Sequence, residues 1–305
     1  IMEEANEFIS RFTKNDHLPM FTSCSPGWIK FMEHNYPDMI PNLSTCKSPQ
    51  GMFGAVAKTY YAEKMDIAPE NIYVVSCMPC TAKKFEATRL YAAAVPGIPD
   101  IDAVLTTREL ARMIKKAGID FTDLEDDTYD EPFGLGSGAG TIFGATGGVM
   151  EAALRTAYEK LTGEELKDLS LGDITRGTDG IKEAVVDIKG TKIRVCVASG
   201  LANARKVVES VRSGEKQYDF IEIMACPGGC VNGGGQPIVP ANVRNFKDVR
   251  AIRAAALYKD DLALPVRKSH ENPDIINIYK EYFGEPNSHK AHEVLHTTYV
   301  AREKY

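Results

Sequence analysis

The stretch 224–237, Met-Ala-Cys-Pro-Gly-Gly-Cys-Val-Asn-Gly-Gly-Gly-Gln-Pro, places Cys226 and Cys230 among five glycines. It begins where the apolar run 220–224 ends, and that run predicts a buried strand. Glycine lets the backbone approach a bulky ligand, and the peptide N–H groups of such turns can point at sulfur. A strand that leads into this loop predicts a site for a metal cluster. The alternative is a tight turn that carries two unrelated thiols.

The bulk properties are those of a globular protein. The chain has 305 residues, 44% of them hydrophobic and 26% charged, with a net charge of −6. This length allows one large domain or two lobes, and the net charge argues against general nucleic-acid binding. No window approaches 18 uninterrupted apolar residues, so we expect no membrane span, and we find no secretory signal peptide. The chain begins at Ile1 rather than Met, so we expect further residues upstream, and we predict a cytoplasmic location.

Predicted strands and helices alternate over most of the chain, with strands at 71–77, 103–106, 192–198 and 218–224 and helices at 108–116, 142–161 and 203–213. This order is typical of an α/β fold with mainly parallel sheets. We expect two lobes that enclose a buried cluster. The predicted domains are a catalytic region at 1–240, incomplete at its N-terminus, and a helical C-terminal wrap at 241–305.

The seven cysteines are odd in number in a chain that is not small, which argues against a disulfide framework and favours a reducing compartment. Cys24 lies in a predicted loop, and two pairs, Cys77/Cys80 and Cys226/Cys230, end predicted strands. Such loops converge on one crevice in α/β sheets. Four or five thiols delivered to one place suit an iron–sulfur cluster better than zinc, whose ligands usually lie in a small local module. The two remaining cysteines, Cys46 and Cys196, are interpreted as structural.

Three segments resemble the signature loops of the FeFe hydrogenases. They are Thr-Ser-Cys-Ser-Pro-Gly-Trp (22–28), Met-Pro-Cys-Thr-Ala-Lys-Lys (78–84) and the stretch 224–237. Residues 142–153 add to the likeness, and the tail from Arg267 to His296 resembles the small-subunit segment of the family. The resemblance covers almost the whole chain and is strongest to the catalytic subunit of the clostridial and NAD(P)-linked, multi-subunit members.

The resemblance implies an H-cluster, in which one cysteine joins a 4Fe-4S cubane to a diiron unit that carries CO, cyanide and an azadithiolate. It implies thiolate ligands at Cys80, Cys226 and Cys230, with Cys230 as the bridge. Cys24 would pass protons to the bridgehead amine, and Lys83 would hydrogen-bond a cyanide. The other implied residues around the diiron unit are Met224, Met78, Phe143, Gln50 and Ser48.

The resemblance also implies a proton path that runs through Cys24, a water, Glu7, Ser44 and Glu4 to Arg11 at the surface. Glu4 and Glu7 are three residues apart, so a helix places them on one face, as a relay requires. Without the resemblance, the two glutamates are better interpreted as an exposed acidic first turn.

One position departs from the family pattern, because Ser25 stands where the family usually has a cubane-ligating cysteine. Three explanations stay open: Ser25 binds as an alkoxide, a nearby thiol such as Cys24 or Cys77 replaces it, or three thiolates hold the cubane. We expect the cluster to assemble with an altered potential, since ligand charge affects the potential of iron–sulfur clusters.

The implied activity is the reversible reaction 2 H⁺ + 2 e⁻ ⇌ H2, with electrons from ferredoxin or from NAD(P)H through flavoprotein and iron–sulfur partner subunits. Maturation proteins would insert the diiron unit, and further iron–sulfur clusters are expected upstream of Ile1. One alternative is a hydrogen-sensing relative, and another is an iron–sulfur assembly protein without the diiron unit. The Glu4/Glu7 pair and Lys83 favour the hydrogenase.

Overall fold

A computed structural model describes residues 1–164 and 180–303 of the chain. The strands are β1 (Met20–Phe21), β2 (Val75–Met78), β3 (Ala103–Thr106), β4 (Ile181–Ile188), β5 (Thr191–Ser199) and β6 (Phe220–Met224). The helices of the first 240 residues are α1 (Met2–Lys14), α2 (Pro26–Asn35), α3 (Pro49–Val56), α4 (Ala62–Met65), α5 (Lys83–Glu86), α6 (Thr107–Lys116), α7 (Gly138–Thr141), α8 (Gly148–Thr162) and α9 (Leu201–Arg212). Those that follow are α10 (Ala241–Arg244), α11 (Val249–Ala263), α12 (Pro273–Ile278) and α13 (His289–Leu295), and a π-helical turn continues each of α3 and α12.

The described strands form two sheets. The larger has the order β1-β6-β5-β4, with β6 parallel to both neighbours and β4 antiparallel to β5, and the smaller is the parallel pair β2-β3. The prediction of an α/β fold with mainly parallel sheets is confirmed. The sequence interpretation missed β4, which reaches β5 through a tight turn in which Lys189 and Gly190 both have positive φ.

Strand β6 is buried along its whole length, which explains why four of its five residues are apolar. Ile221 and Ile223 face one core, together with Trp28 of α2 and Val207 of α9. Phe220 faces a second core, which Phe8 of α1 and Met150 and Leu154 of α8 complete. The sheet therefore carries helices on both faces, and its carboxyl-terminal edge stays free for the loops that follow β1 and β6.

The segment after residue 240 is helical, as predicted, and it packs closely onto the rest of the molecule. Asp261 of α11 accepts hydrogen bonds of 2.9 Å from both terminal nitrogens of Arg155 in α8. Directly after α13, His296 forms an isolated antiparallel β-bridge with Cys46. The predicted helix over 142–161 begins only at Gly148, because residues 142–144 form a 3₁₀ turn. None of the described helices is long and apolar enough to cross a membrane.

Candidate functional site

Three loops that follow parallel strands bring the candidate ligands together. Ser25 follows β1 and precedes Pro26, the first residue of α2, while Cys80 follows β2 and the pair Cys226/Cys230 follows β6. Because β1 and β6 are paired in parallel, their carboxyl ends meet at one edge. The Ser25 hydroxyl oxygen accepts a hydrogen bond of 3.4 Å from the N–H of Ala225, next to Cys226.

Glycines allow the loop after β6 to lie directly on the loop after β2. A Cβ atom at Gly233 would stand 2.1 Å from the carbonyl oxygen of Pro79, and one at Gly235 would stand 2.8 Å from the Pro79 carbonyl carbon. The N–H of Gly235 also donates to the Pro79 carbonyl oxygen at 2.8 Å. This close approach places Cys80 beside Cys226 and Cys230, and a side chain at either glycine would prevent it.

We call Cys80, Cys226 and Cys230 the thiol cluster. Burial, with a smaller contribution from the neighbouring thiols Cys80 and Cys226, raises the pKa of Cys230 to about 11 against the opposing charge of Lys83. Burial and then Cys80 also raise the pKa of Cys226. Without a ligand Cys226 and Cys230 hold their protons, whereas a cationic metal cluster would make thiolates favourable. Three convergent sulfurs on a glycine-rich backbone are a donor set that fits an iron–sulfur cluster.

Cys24 lies close to the thiol cluster, and Cys77 does not. Burial raises the pKa of Cys24 well above its usual value, and the charges of Glu4 and Cys230 raise it further. Cys77 lies on the exposed face of β2, whereas the adjacent Ser76 points inward and donates to Gln50 at 2.7 Å. The hypothesis that Cys77 replaces the missing cysteine is therefore wrong, because successive side chains of a strand point to opposite faces. Ser25 and Cys24 remain near the site.

Lys83 is buried, and Glu86 is its counterion. The ammonium nitrogen of Lys83 donates to both carboxylate oxygens of Glu86, at 2.9 and 3.0 Å, and to the carbonyl oxygen of Cys24 at 3.1 Å. Ser48 and Gln50 donate to the same carboxylate. The predicted residues Lys83, Ser48 and Gln50 are thus brought together by Glu86, which the sequence interpretation missed. The i,i+3 spacing of Lys83 and Glu86, which places both on one face of a helix, was the sequence signal that could have revealed this ion pair.

The three predicted apolar wall residues lie in different surroundings. Met224 is buried at the end of β6, directly before the cysteine loop. Met78 ends β2 and packs partly against the small core around Ile101 and Val104. Phe143 lines a separate cavity of about 340 Å³ beside Tyr279.

The relay consists of Glu4, Ser44, Glu7 and Arg11. Arg11 donates to Glu7 at 2.7 Å, and the Ser44 hydroxyl donates to the other oxygen of Glu7 at 2.9 Å. Ser44 also hydrogen-bonds Glu4, whose charge reaches the thiol of Cys24. Both glutamates are buried, so the alternative of an exposed acidic turn is wrong. The predicted order of the glutamates is also wrong, because Glu4 is next to Cys24 and Glu7 is next to Arg11.

Glu4 and Glu7 differ in their hydrogen bonding as well as in their position. Glu7 additionally accepts from the backbone N–H and the hydroxyl of Thr45, each at 3.1 Å. Burial and the nearby charge of Glu7 raise the pKa of Glu4 to about 7, against the hydrogen bonds from Ser44 and Ser23. Glu4 can therefore take up and release protons near neutral pH.

Glu222 is a further buried acid that the sequence interpretation missed. It lies within the apolar run of β6, and its carboxylate accepts the N–H groups of Gly147 and Met150 at 2.6 and 2.7 Å, at the start of α8. Burial raises its pKa to about 7. A single acid inside a run of five buried residues was the only available signal, and hydrophobic periodicity does not detect it.

The comparisons with known proteins agree with this geometry. The family model for the iron-only hydrogenase large subunit, C-terminal domain, matches residues 1–234, and the model for the iron hydrogenase small subunit matches residues 247–302. The chain therefore belongs to the iron-only hydrogenase family.

Several individual proteins are similar over almost all of the chain. NADP-reducing hydrogenase subunit HndD of Solidesulfovibrio fructosivorans is 50% identical over 100% of this chain and 52% of its own length. Iron hydrogenase 1 of Clostridium pasteurianum is 51% identical over 98% of this chain and 52% of its own. The structure of the apo [FeFe]-hydrogenase HydA1 variant C377H from Chlamydomonas reinhardtii matches with a TM-score of 0.83 at 44% identity, covering 99% of this chain and 82% of that one.

Iron–sulfur assembly proteins are more distant relatives. The cytosolic Fe-S cluster assembly factor narfl of Xenopus tropicalis is 31% identical over 100% of this chain and 64% of its own length. The chain spans about half the length of HndD and of iron hydrogenase 1.

Proposed function

We propose that the chain is the catalytic part of an FeFe hydrogenase that interconverts protons and hydrogen, 2 H⁺ + 2 e⁻ ⇌ H2. The observation that carries the proposal is the meeting of the thiol cluster and the relay at Cys24. A thiol beside the metal site, followed by buried groups that lead outward to Arg11, is what a reaction that consumes or releases protons needs. We propose residues 1–240 as the catalytic region and 241–305 as the segment that closes over it.

The H-cluster would be held by the thiol cluster, with Cys230 as the residue that joins its two parts. Ser25 is the proposed fourth ligand of the cubane, because its hydroxyl lies beside the Cys226 loop and Cys77 points away. When bound, the H-cluster supplies the iron at which hydrogen is made or split and stores the electrons. Lys83 offers a buried cation to an anionic ligand of the cluster, and Glu86 holds it in place.

The residues of the chain handle the proton. The thiol of Cys24 is protonated at neutral pH, so it can donate a proton inward and be reprotonated from the Glu4 side. Glu4 is matched to this task by its pKa of about 7. Ser44 hydrogen-bonds both glutamates, and Arg11 then orients Glu7 toward the surface. Met224, buried directly before the cysteine loop, is proposed to keep water from the reacting iron, whereas Phe143 lines a separate cavity.

The proposed electron partners are a ferredoxin or, through flavoprotein and iron–sulfur subunits, NAD(P)H. The relative HndD, named an NADP-reducing hydrogenase subunit, supports the second route. We propose a cytoplasmic location, which the seven free cysteines favour. A role in iron–sulfur assembly is disfavoured by the lower identity of those relatives and by the buried relay.

The test is infrared spectroscopy of the full-length protein, matured and kept without oxygen. Bands of metal-bound CO and cyanide that shift under hydrogen are the expected result. A cubane signal in electron paramagnetic resonance without such bands, even after addition of the synthetic diiron cofactor, would contradict the proposal and favour an iron–sulfur protein without hydrogen chemistry.

A further inference from the structure

Next to the relay lies a triad of a buried carboxylate, a buried imidazole and a half-buried hydroxyl. The Nε2 atom of His296 is 2.9 Å from a carboxylate oxygen of Glu3, and its Nδ1 atom is 2.7 Å from the hydroxyl oxygen of Thr45. The same hydroxyl donates to Glu7 at 3.1 Å. The triad thus joins the relay to the segment that follows α13, about 290 residues away in sequence from Glu7.

Glu3 is held as a carboxylate by its hydrogen bonds. Besides His296, it accepts from the hydroxyl of Tyr279 and, at 2.9 Å, from the backbone N–H of Asn287. Although burial opposes this, the hydrogen bonds from His296 and Tyr279 keep the pKa of Glu3 below its ordinary value. An ionised carboxylate only accepts hydrogen bonds, so the Nε2 atom of His296 must carry a proton.

The hydroxyl proton of Thr45 can go to only one of two acceptors. If His296 is neutral, its Nδ1 atom has a lone pair, which competes with Glu7 for the hydroxyl proton of Thr45. If His296 is an imidazolium, Nδ1 donates to Thr45, and the hydroxyl is free to donate to Glu7. The state of the imidazole therefore decides whether the Thr45 hydroxyl donates its proton to His296 or to Glu7 of the relay.

A thiol, a carboxylate and a second imidazole lie close to the His296 ring. The thiol of Cys46 and the carboxylate of Glu7 both lie within 4.8 Å of the His296 ligand atom. His292 stacks on His296 with ring centroids 4.0 Å apart. Burial and then the charge of His296 lower the pKa of His292, which favours its neutral form.

We propose that His296 is a positioning residue for the proton relay, which acts through Thr45 and is held by Glu3. His296 fixes the position of the Thr45 hydroxyl, which donates to Glu7 and orients that carboxylate. The inference rests on the proposed function, because it gives Glu7 a role in proton transfer. The Thr45 hydroxyl contacts the Glu7 carboxylate, which argues against a nucleophilic role of the kind that such triads have in hydrolases.

The first test follows the ring signals of His296 by NMR as the pH is varied, on the matured full-length protein with labelled histidine. Glu7→Gln changes the acceptor of the Thr45 hydroxyl, so we expect the ring signals of His296 and their dependence on pH to change. Thr45→Val should change them as well, and Thr45→Ser should restore them. His289→Gln is the control, since His289 lies on α13 with its side chain 91% exposed. An unchanged titration in both Glu7→Gln and Thr45→Val would overturn the proposal.

The second test measures hydrogen evolution by His296→Gln across pH. We expect the maximal rate to fall about 10-fold with a changed pH profile, because the orientation of Glu7 is lost. The KM for the electron donor and the infrared bands of the cluster should be unchanged. If Glu4→Gln and Glu7→Gln keep the wild-type rate, the relay itself is wrong. If Glu4→Gln and Glu7→Gln evolve hydrogen more slowly while His296→Gln keeps the wild-type rate and pH profile, the relay stands and only the positioning role of His296 is wrong.

Discussion

The thiol cluster and the relay are both buried, but their charges are balanced in opposite ways. In the thiol cluster, burial and neighbouring sulfurs disfavour thiolates, and Lys83 is the cation whose charge opposes them at Cys230. In the relay, Glu7 receives hydrogen bonds from Arg11, Ser44 and Thr45. Cys226 and Cys230 therefore need a cationic ligand to become thiolates, whereas Glu7 already has the cation Arg11 beside it. This difference separates the proposed metal site from the proposed proton path.

The largest expected effect comes from removing a member of the thiol cluster. Cys230→Ser should reduce iron content and abolish hydrogen evolution, because a hydroxyl is a poor replacement for a thiolate that joins two parts of a cluster. Cys77→Ser is the matched control, since its side chain is exposed on the other face of β2. Iron analysis and cubane paramagnetic resonance are the measurements. Loss of the cubane in Cys77→Ser would contradict the conclusion that Cys77 lies outside the metal site.

The next effect should be confined to the relay. Glu4→Gln keeps the size of the side chain but cannot carry a proton, so hydrogen evolution should fall by about 10²–10⁴-fold. Iron content and the infrared bands should match the unmodified protein, as they should in the exposed control Glu293→Gln. A reduced iron content in Glu4→Gln would show that the two regions are not separable.

A third prediction concerns the dependence of stability on pH. Glu222 has a pKa of about 7 when folded, against 4.5 as its ordinary value. Between these values the folded protein binds the proton and the unfolded chain does not, so the free energy of unfolding falls as pH rises through this window. The loss from this residue is about 3 kcal/mol.

Glu222→Gln should remove that part of the pH dependence. Urea unfolding of the iron-free protein at several pH values from 5 to above 7 measures it, with Glu293→Gln as a control that should follow the unmodified protein. Parallel curves for Glu222→Gln and the unmodified protein would contradict the raised pKa. Such a result would leave Glu4 as the single acid of the site that titrates near neutral pH.

The smallest effect is expected from the contact between the two cysteine loops. Gly233→Ala places a Cβ atom 2.1 Å from the Pro79 carbonyl oxygen and should cost about 1–3 kcal/mol of stability, with reduced iron binding. Gly234→Ala is the matched control, since its Cβ atom would meet the flexible side chain of Thr81 at 3.3 Å. Thermal unfolding and iron analysis measure both variants. Equal stability and iron content in Gly233→Ala and Gly234→Ala would mean that the close approach of the two cysteine loops is not required for folding or iron binding.

The features that were predicted correctly from the sequence are those that depend on neighbouring residues in the chain. The apolar run of β6 predicts a buried strand because no solvent-facing residue interrupts it, and the glycine-rich loop predicts close backbone approach. Strand β4 was missed because it alternates exposed and half-buried residues beside charged ones, a pattern that is weaker than a buried run.

Tertiary packing decided the details of the site. Glu4 and Glu7 share a face of α1 by their spacing alone, but which of them lies next to Cys24 depends on where the Ser44 loop rests. Likewise, Cys77 and Cys80 differ because one is within a strand and the other follows it.

The sequence by itself determined the family, the α/β fold, the thiol cluster and the residues of the relay, because these depend on local patterns of glycine, cysteine and apolar residues. Only the tertiary structure decided the order of the relay, the exclusion of Cys77, the counterion Glu86 and the triad of Glu3, His296 and Thr45. The physical reason is that burial and charge balance arise from contacts between residues far apart in the chain. The spacing of residues within one helix or strand does not predict such contacts.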